Sequence, residues 1–215
     1  MALATTTRTR PRGSLTREEI ITEALALLEE HGPGALSMRR LADRLGVAPN
    51  ALYTYVRGKA DLIDGLVDQV YAGLDLEPDP AGDWTEQLAT LSQGIRGHLL
   101  AHPAVVPFAL QQPGLGPHSL RLGEAIYNVL RPAGFSDQAV VGIVYALLTY
   151  ILGFVALEIP RAGTTQQSSD EVVRRMWAFF AALLARSSTD DQFQFGIRIF
   201  LAGLNAQRPE REHSA

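Results

Sequence analysis

The sequence predicts an all-α protein in which a small N-terminal three-helix module precedes a larger helical domain. Three observations carry this. Segments with apolar residues three and four apart, bounded by helix caps, follow one another along nearly the whole chain. No alternating run closed by a turn pair such as Asn-Gly, the mark of a hairpin, interrupts them. At 215 residues, 47% of them apolar, the chain is long enough for a small module beside one sizeable core.

The first helix is expected from Thr16. Thr16 and Glu19 have capping-box spacing, and Ile20, Ala24, Leu27 and Leu28 form one face. His31-Gly32-Pro33-Gly34 ends it. Ser37 is a good N-cap for a second helix, Met38 to Leu45, with Leu41 and Leu45 a turn apart on the buried side; Gly46 stops it. A third opens at Ala48-Pro49, because proline suits the first helical turn, and is expected to run to Val56. Arg57-Gly58 breaks it, and Lys59 opens a fourth to about Leu74 with Leu62, Leu66, Val70 and Leu74 inward. After a turn-rich connector from Glu77 to Asp83, helices are expected near 84–101, 105–111, 117–131, 137–158, 170–186 and 190–206. The expected organisation is a flexible basic arm (1–14), a head (15–60), a helical body (61–206) and a disordered tail (207–215).

The net charge of -4 conceals an uneven distribution. Residues 1–59 carry nine basic residues against six acidic ones, a net of +3, and the rest carries ten against seventeen, a net of -7. A basic head on an acidic body concentrates the attraction for a polyanion in one place. The absence of cysteine excludes disulfides, thiolate metal sites and cysteine nucleophiles. The first ten residues lack the apolar run of a secretory signal, so a cytoplasmic protein is expected.

Two short helices joined at Gly46 by a three- to four-residue turn have the spacing of a helix-turn-helix, whose second helix enters the major groove of DNA. The run Leu41-Ala42-Asp43-Arg44-Leu45-Gly46-Val47, then Leu52-Tyr53-Thr54-Tyr55, then Lys59-Ala60-Asp61-Leu62 makes the pattern specific. It resembles the N-terminal signature of the tetracycline-repressor (TetR) family, and the match runs without a gap over about residues 15–75. Phe193-Gln194-Phe195-Gly196-Ile197 resembles the start of the last helix in the tetracycline-repressor branch. The resemblance implies a homodimeric transcriptional regulator, usually a repressor, released from a palindromic operator by a small apolar or amphipathic effector.

The candidate DNA contacts are Ser37, Arg39, Arg40, Ala48, Pro49, Asn50, Tyr53, Tyr55 and Lys59. Tyr53 and Tyr55, two apart on a short helix, cannot share one face; their hydroxyls can reach phosphates, or Tyr53 is a core aromatic with a solvated tip. Lys59, the only lysine, opens a helix where the dipole disfavours a cation, and by position alone it is an ordinary surface lysine; the family's matching lysine implies a phosphate contact. Arg39 matches a family position that can contact guanine, and Asn50 can read adenine. Arg40 and Arg44 are either phosphate contacts or plain surface charges. Arg8, Arg10, Arg12 and Arg17 form a basic arm that either enters the minor groove or only solubilises the chain. Pro49 and Asn50 depart from the tetracycline repressor itself, so its operator does not carry over.

Gln138 to Leu157 contains no charged residue and is long enough to span a bilayer. Gly142, Ala146, Thr149 and Gly153 form a small-residue stripe beside an apolar face of Val140, Val144, Leu147, Ile151 and Phe154. Burial of both faces in a helical bundle is the better account, since no basic flank accompanies the segment. The resemblance implies that the helices at 137–158 and 190–206 pair with their copies. Val144, Leu147, Ile151, Phe193, Ile197, Phe200 and Leu204 are then the candidate dimer interface. It also implies an effector pocket in the body, with His98, His102, Phe108, Tyr127, Tyr145 and Tyr150 as candidate lining and Trp84, Leu91 and Phe154 adding apolar surface.

His98 and His102 lie one turn apart, but no Glu-x-x-His or third ligand accompanies them, so neither a metal nor a cofactor is expected. The chain carries no phosphate loop, nucleophile elbow, dinucleotide glycine fingerprint or zinc helix, so catalysis is not expected. The alternative to a regulator is a helical adaptor or an all-α enzyme with no DNA role.

Overall fold

The computed structural model describes residues 15–77, 82–111, 114–159, 171–184 and 186–208. Among them the regular structure is entirely helical, as the sequence predicts: α1 (Arg17–His31), α2 (Met38–Leu45), α3 (Pro49–Leu52), α4 (Lys59–Ala72), α5 (Trp84–Ala101), α6 (Val106–Ala109), α7 (Pro117–Leu130), α8 (Asp137–Glu158), α9 (Glu171–Leu184) and α10 (Thr189–Ala206), with one 3-10 turn at Pro33–Ala35. The expected arm with Arg8, Arg10 and Arg12 lies outside the described residues, as does the tail beyond Arg208.

The chain forms two compact units. One holds the described residues up to Glu77 together with Gly94–Ala125; the other holds the described parts of 78–93 and 126–215. In the first, α1 packs on α2 and α4, α2 packs on α3, and α6 packs on α4. Its core includes Ile20, Leu28, Leu41, Leu52, Leu62 and Leu66, all excluded from solvent. Asp68 of α4 is buried because it caps another helix: its Oδ1 accepts from the Ser119 backbone N–H and hydroxyl, each at 2.9 Å, in the first turn of α7.

In the second unit the buried row of α8 is Val140, Ile143, Leu147, Ile151 and Val155, and that of α10 is Phe193, Ile197 and Leu201. The Tyr150 ring stacks on Phe193 at 5.7 Å, and Phe154 meets Phe193 edge-on at 5.2 Å. The Tyr150 hydroxyl donates to the Phe193 carbonyl at 3.1 Å.

Two features differ from the expectation. The third helix ends at Leu52 instead of Val56, because the chain tightens there into 3-10-type bonds, from Thr54 N–H to Ala51 O and from Tyr55 N–H to Leu52 O. The 22-residue α8 is long and apolar enough to cross a membrane by length and composition alone, but within one chain only one of its faces is buried. Val141 and Tyr145 on the opposite side are 71% and 74% exposed, beside exposed Gly142, Ala146 and Thr149.

Candidate nucleic-acid interface

The head is a set of short helices whose ends are fixed by side chains. Thr16 and Glu19 close the capping box of α1. Ser37 caps α2 by accepting from the Arg40 N–H at 3.2 Å. Gly46 ends α2 in the left-handed conformation at φ 68°, where its N–H reaches back to Ala42 and Asp43. Val47 N–H then bonds Ala42 O, and Pro49 opens α3. Leu41, Ala42, Leu52 and Val56 are buried behind this turn.

The front of the turn is correspondingly open. Arg39, Arg40, Ala48, Pro49 and Asn50 are all exposed, and so is Lys59 in the first turn of α4. Tyr53 is 53% exposed, which removes the core alternative for it, while Tyr55 is half-buried. Ser37 is half-buried, and its oxygen already accepts the capping bond.

Ion pairing separates the head's cations into two groups. Arg44 is not a free surface charge: its guanidinium grips Glu30 with two bonds, at 2.6 and 2.7 Å, and Glu23 with a third at 2.7 Å, bracing α2 against α1. The Arg44 guanidinium holds the Glu30 carboxyl below its ordinary range, and the two glutamates raise the arginine. Arg17 belongs to α1 and not to a loose arm, donating to Asp61 at 2.8 Å. Asp61 also accepts the Arg57 backbone N–H at 2.8 Å, and these bonds, the backbone one foremost, pull its carboxyl below the ordinary range. Arg57 itself lies within 3.6 Å of Asp61. Arg39, Arg40 and Lys59 form no ion pair among the described residues. Arg39, Arg40 and Lys59 are therefore exposed cations with no internal partner, carried by the helices before and after α3.

The other sequence-derived residues fare differently. Leu147, Ile151, Phe193 and Ile197 are at most 1% exposed within the single chain, so they have no surface to offer a partner. That corrects the expected dimer interface, of which Val144, Phe200 and Leu204 remain half-buried. The exposed large side chains on these two helices are Val141, Tyr145, Leu157, Phe195 and Ile199, which the apolar periodicity did not single out.

The expected pocket residues are likewise engaged elsewhere. Tyr145 faces solvent, Tyr150 is bound to Phe193, and the Tyr127 hydroxyl donates to Asp137 at 3.1 Å. In the first unit His98 Nε2 donates to the Val70 carbonyl at 2.6 Å, His102 Nδ1 meets Glu29 at 2.7 Å, and Phe108 is half-buried. The two imidazoles are 5.0 Å apart, each with its own partner; no group of three or more metal-ligating side chains occurs among the described residues.

Two family descriptions match the chain. "Bacterial regulatory proteins, tetR family" covers residues 20–66, and "Tetracyclin repressor-like, C-terminal domain" covers 77–208. An HTH-type transcriptional regulator of Saccharopolyspora erythraea is 31% identical over 209 residues, covering 93% of this chain and 87% of its own. The Streptomyces coelicolor TetR family protein ActR, solved in complex with actinorhodin, superposes with a TM-score of 0.78 at 28% identity, over 92% of this chain and 99% of its own. Mycobacterium smegmatis BioQ, solved with its double-stranded DNA operator, gives 0.68 at 25% identity, over 89% and 99%.

Proposed function

The chain belongs to the tetracycline-repressor family of regulators, and from that premise we propose that it is a homodimeric repressor that leaves a palindromic operator when a small apolar or amphipathic effector binds its body. The observation that carries the DNA reading is the exposed start of α3, Pro49 and Asn50, with Leu52 and Val56 buried and Arg39, Arg40 and Lys59 exposed and unpaired on the helices before and after it. Unpaired cations beside a short exposed helix suit a polyanion, because no internal carboxylate competes with phosphate.

Arg39 presents its fork to guanine, Asn50 reads adenine, and Pro49 and Ala48 set the approach of the helix to the base edges. Tyr53, Tyr55, Arg40, Lys59 and the Ser37 region hold the backbone and fix the register. Two such heads reach half-sites one helical turn apart or a multiple of it, hence the palindrome. The second copy covers the exposed row of α8 and α10, Val141 and Tyr145 with Phe195 and Ile199, which is otherwise an apolar surface open to water in a cytoplasmic protein. An effector acts by preferring one spacing of the two heads over the other.

Selection of duplex DNA from the source genome's fragments tests the reading. A palindrome retained at elevated salt, and lost by an Arg39→Ala, Lys59→Ala variant that keeps its helical content, is the expected result. Retention that is weak, blind to sequence and equal in parent and variant overturns it.

A further inference from the structure

The second unit contains a cavity of about 480 Å³ that the DNA reading does not use, lined by Asp83, Trp84, Arg198, Leu201, Asn205 and Arg208 together with Thr85 and Ala202. Its volume lies in the range of small-molecule sites. Two of its groups are held in place by contacts within the unit. The Trp84 indole and the Phe135 ring form a T-shaped pair, 5.4 Å between ring centres at 72°, which fixes the indole at the cavity wall. Arg208 donates its Nε to the Ala133 carbonyl at 2.7 Å, so its two terminal nitrogens remain as a fork. Arg198, across the lining, forms no ion pair among the described residues; its guanidinium carbon is 6.0 Å from the Phe195 ring centre.

The charges then decide the ligand class. Asp83 is the one carboxylate of the lining, and its Oδ1 is already taken by the Thr85 N–H at 2.7 Å, the Thr85 hydroxyl at 2.5 Å and the Glu86 N–H at 3.0 Å. Within the lining two guanidiniums face one occupied carboxylate, an excess of one positive charge, which Asp191, held low by its Ser188 bonds and then by Arg198, offsets in part from outside the lining. Leu201 and Ala202 offer an apolar wall, and the Asn205 amide can donate or accept. From this geometry we infer that the cavity is a binding site for a planar aromatic monocarboxylate, its carboxylate on Arg198 and Arg208 and its ring against Trp84. The site shares no residue with the DNA-reading edge, and its α10 wall adjoins the Phe195 and Ile199 row assigned above to the second copy.

Calorimetric titration of the full-length protein with 1-naphthoate, beside the neutral 1-naphthalenemethanol and inorganic phosphate, tests it. The expected result is one naphthoate per chain, with the alcohol and phosphate each at least about tenfold weaker, since one loses the charge and the other the ring. Arg198→Gln and Arg208→Gln are each expected to weaken naphthoate about tenfold. Arg198 is exposed and hydrogen-bonds nothing, so that variant keeps the parent's melting temperature and separates lost binding from lost fold. Undiminished naphthoate binding in Arg198→Gln places the ligand elsewhere and overturns the inference. So does equal binding of the alcohol, and so does the absence of binding, as when a second copy closes the cavity.

Discussion

Replacing Lys59 with alanine asks whether the unpaired cations of the head hold phosphate. Lys59 is exposed, has no ion pair, and stands in the first turn of α4, where the helix dipole disfavours it. Arg44, on α2 of the same head, is the internal control, because Glu23 and Glu30 already occupy its guanidinium. Each phosphate neutralised on B-form DNA contributes about -0.9 to the slope of log affinity against log salt, so losing Lys59 from both heads of a dimer flattens the slope by about 1.8. Between roughly 50 and 200 mM salt this leaves the variant about twelvefold less salt-sensitive than the parent. Anisotropy titrations of a labelled operator at four salt concentrations measure the slope directly. Arg44→Ala is expected to keep the parent slope and lose thermal stability instead. A Lys59→Ala slope equal to the parent's, or an Arg44→Ala slope flattened as much, refutes the division of the head's cations.

Other expectations concern stability. A Cβ at Gly196 would meet the Tyr150 hydroxyl and lie 2.6 Å from its Cζ, so Gly196→Ala should cost about 1–3 kcal/mol in urea unfolding, and little when Tyr150 is already alanine. Gly116→Ala drives a methyl into the Asp68 carboxylate that caps α7, so a lowered melting temperature is expected, largely absent in an Asp68→Ala background. The Asp61 carboxyl titrates below its ordinary value in the fold, so it stabilises the protein fully above the unfolded value, about 4, and that contribution disappears as the pH falls through the lower folded value. Asp61→Asn should therefore be less stable than the parent at pH 7, with the gap closing toward pH 3; a gap independent of pH would count against the Arg17–Asp61 and Arg57–Asp61 bonds.

The helical identity of the chain was legible because it is written locally. Thr16 with Glu19, Ser37, Gly46 and Pro49 are each decided by backbone groups within four residues, and the structure places caps and stops at those positions. The third helix was overextended for a related reason: Leu52 and Val56 are a turn apart and both buried, a spacing that a helix and a tightened turn satisfy equally. Nor could the sequence say which body aromatics were free. Tyr150 reads as a pocket hydroxyl until the chain brings it to Phe193, 43 residues away.

By itself, then, the sequence determined the all-α class, the capped helix starts and the helix-turn-helix, because those depend on nearest neighbours and on a motif of fixed spacing. Only the tertiary structure decided which charges and which apolar faces are available. Arg39, Arg40 and Arg44 are indistinguishable on one helix until Glu23 and Glu30, 21 and 14 residues before Arg44, close on Arg44 alone. The 22-residue α8 is apolar nearly all round, so periodicity carries no phase, and packing chose Leu147 and Ile151 for the core while leaving Val141 and Tyr145 outside. Availability is a property of what the rest of the chain has already consumed, and that is settled by contacts between residues far apart in sequence.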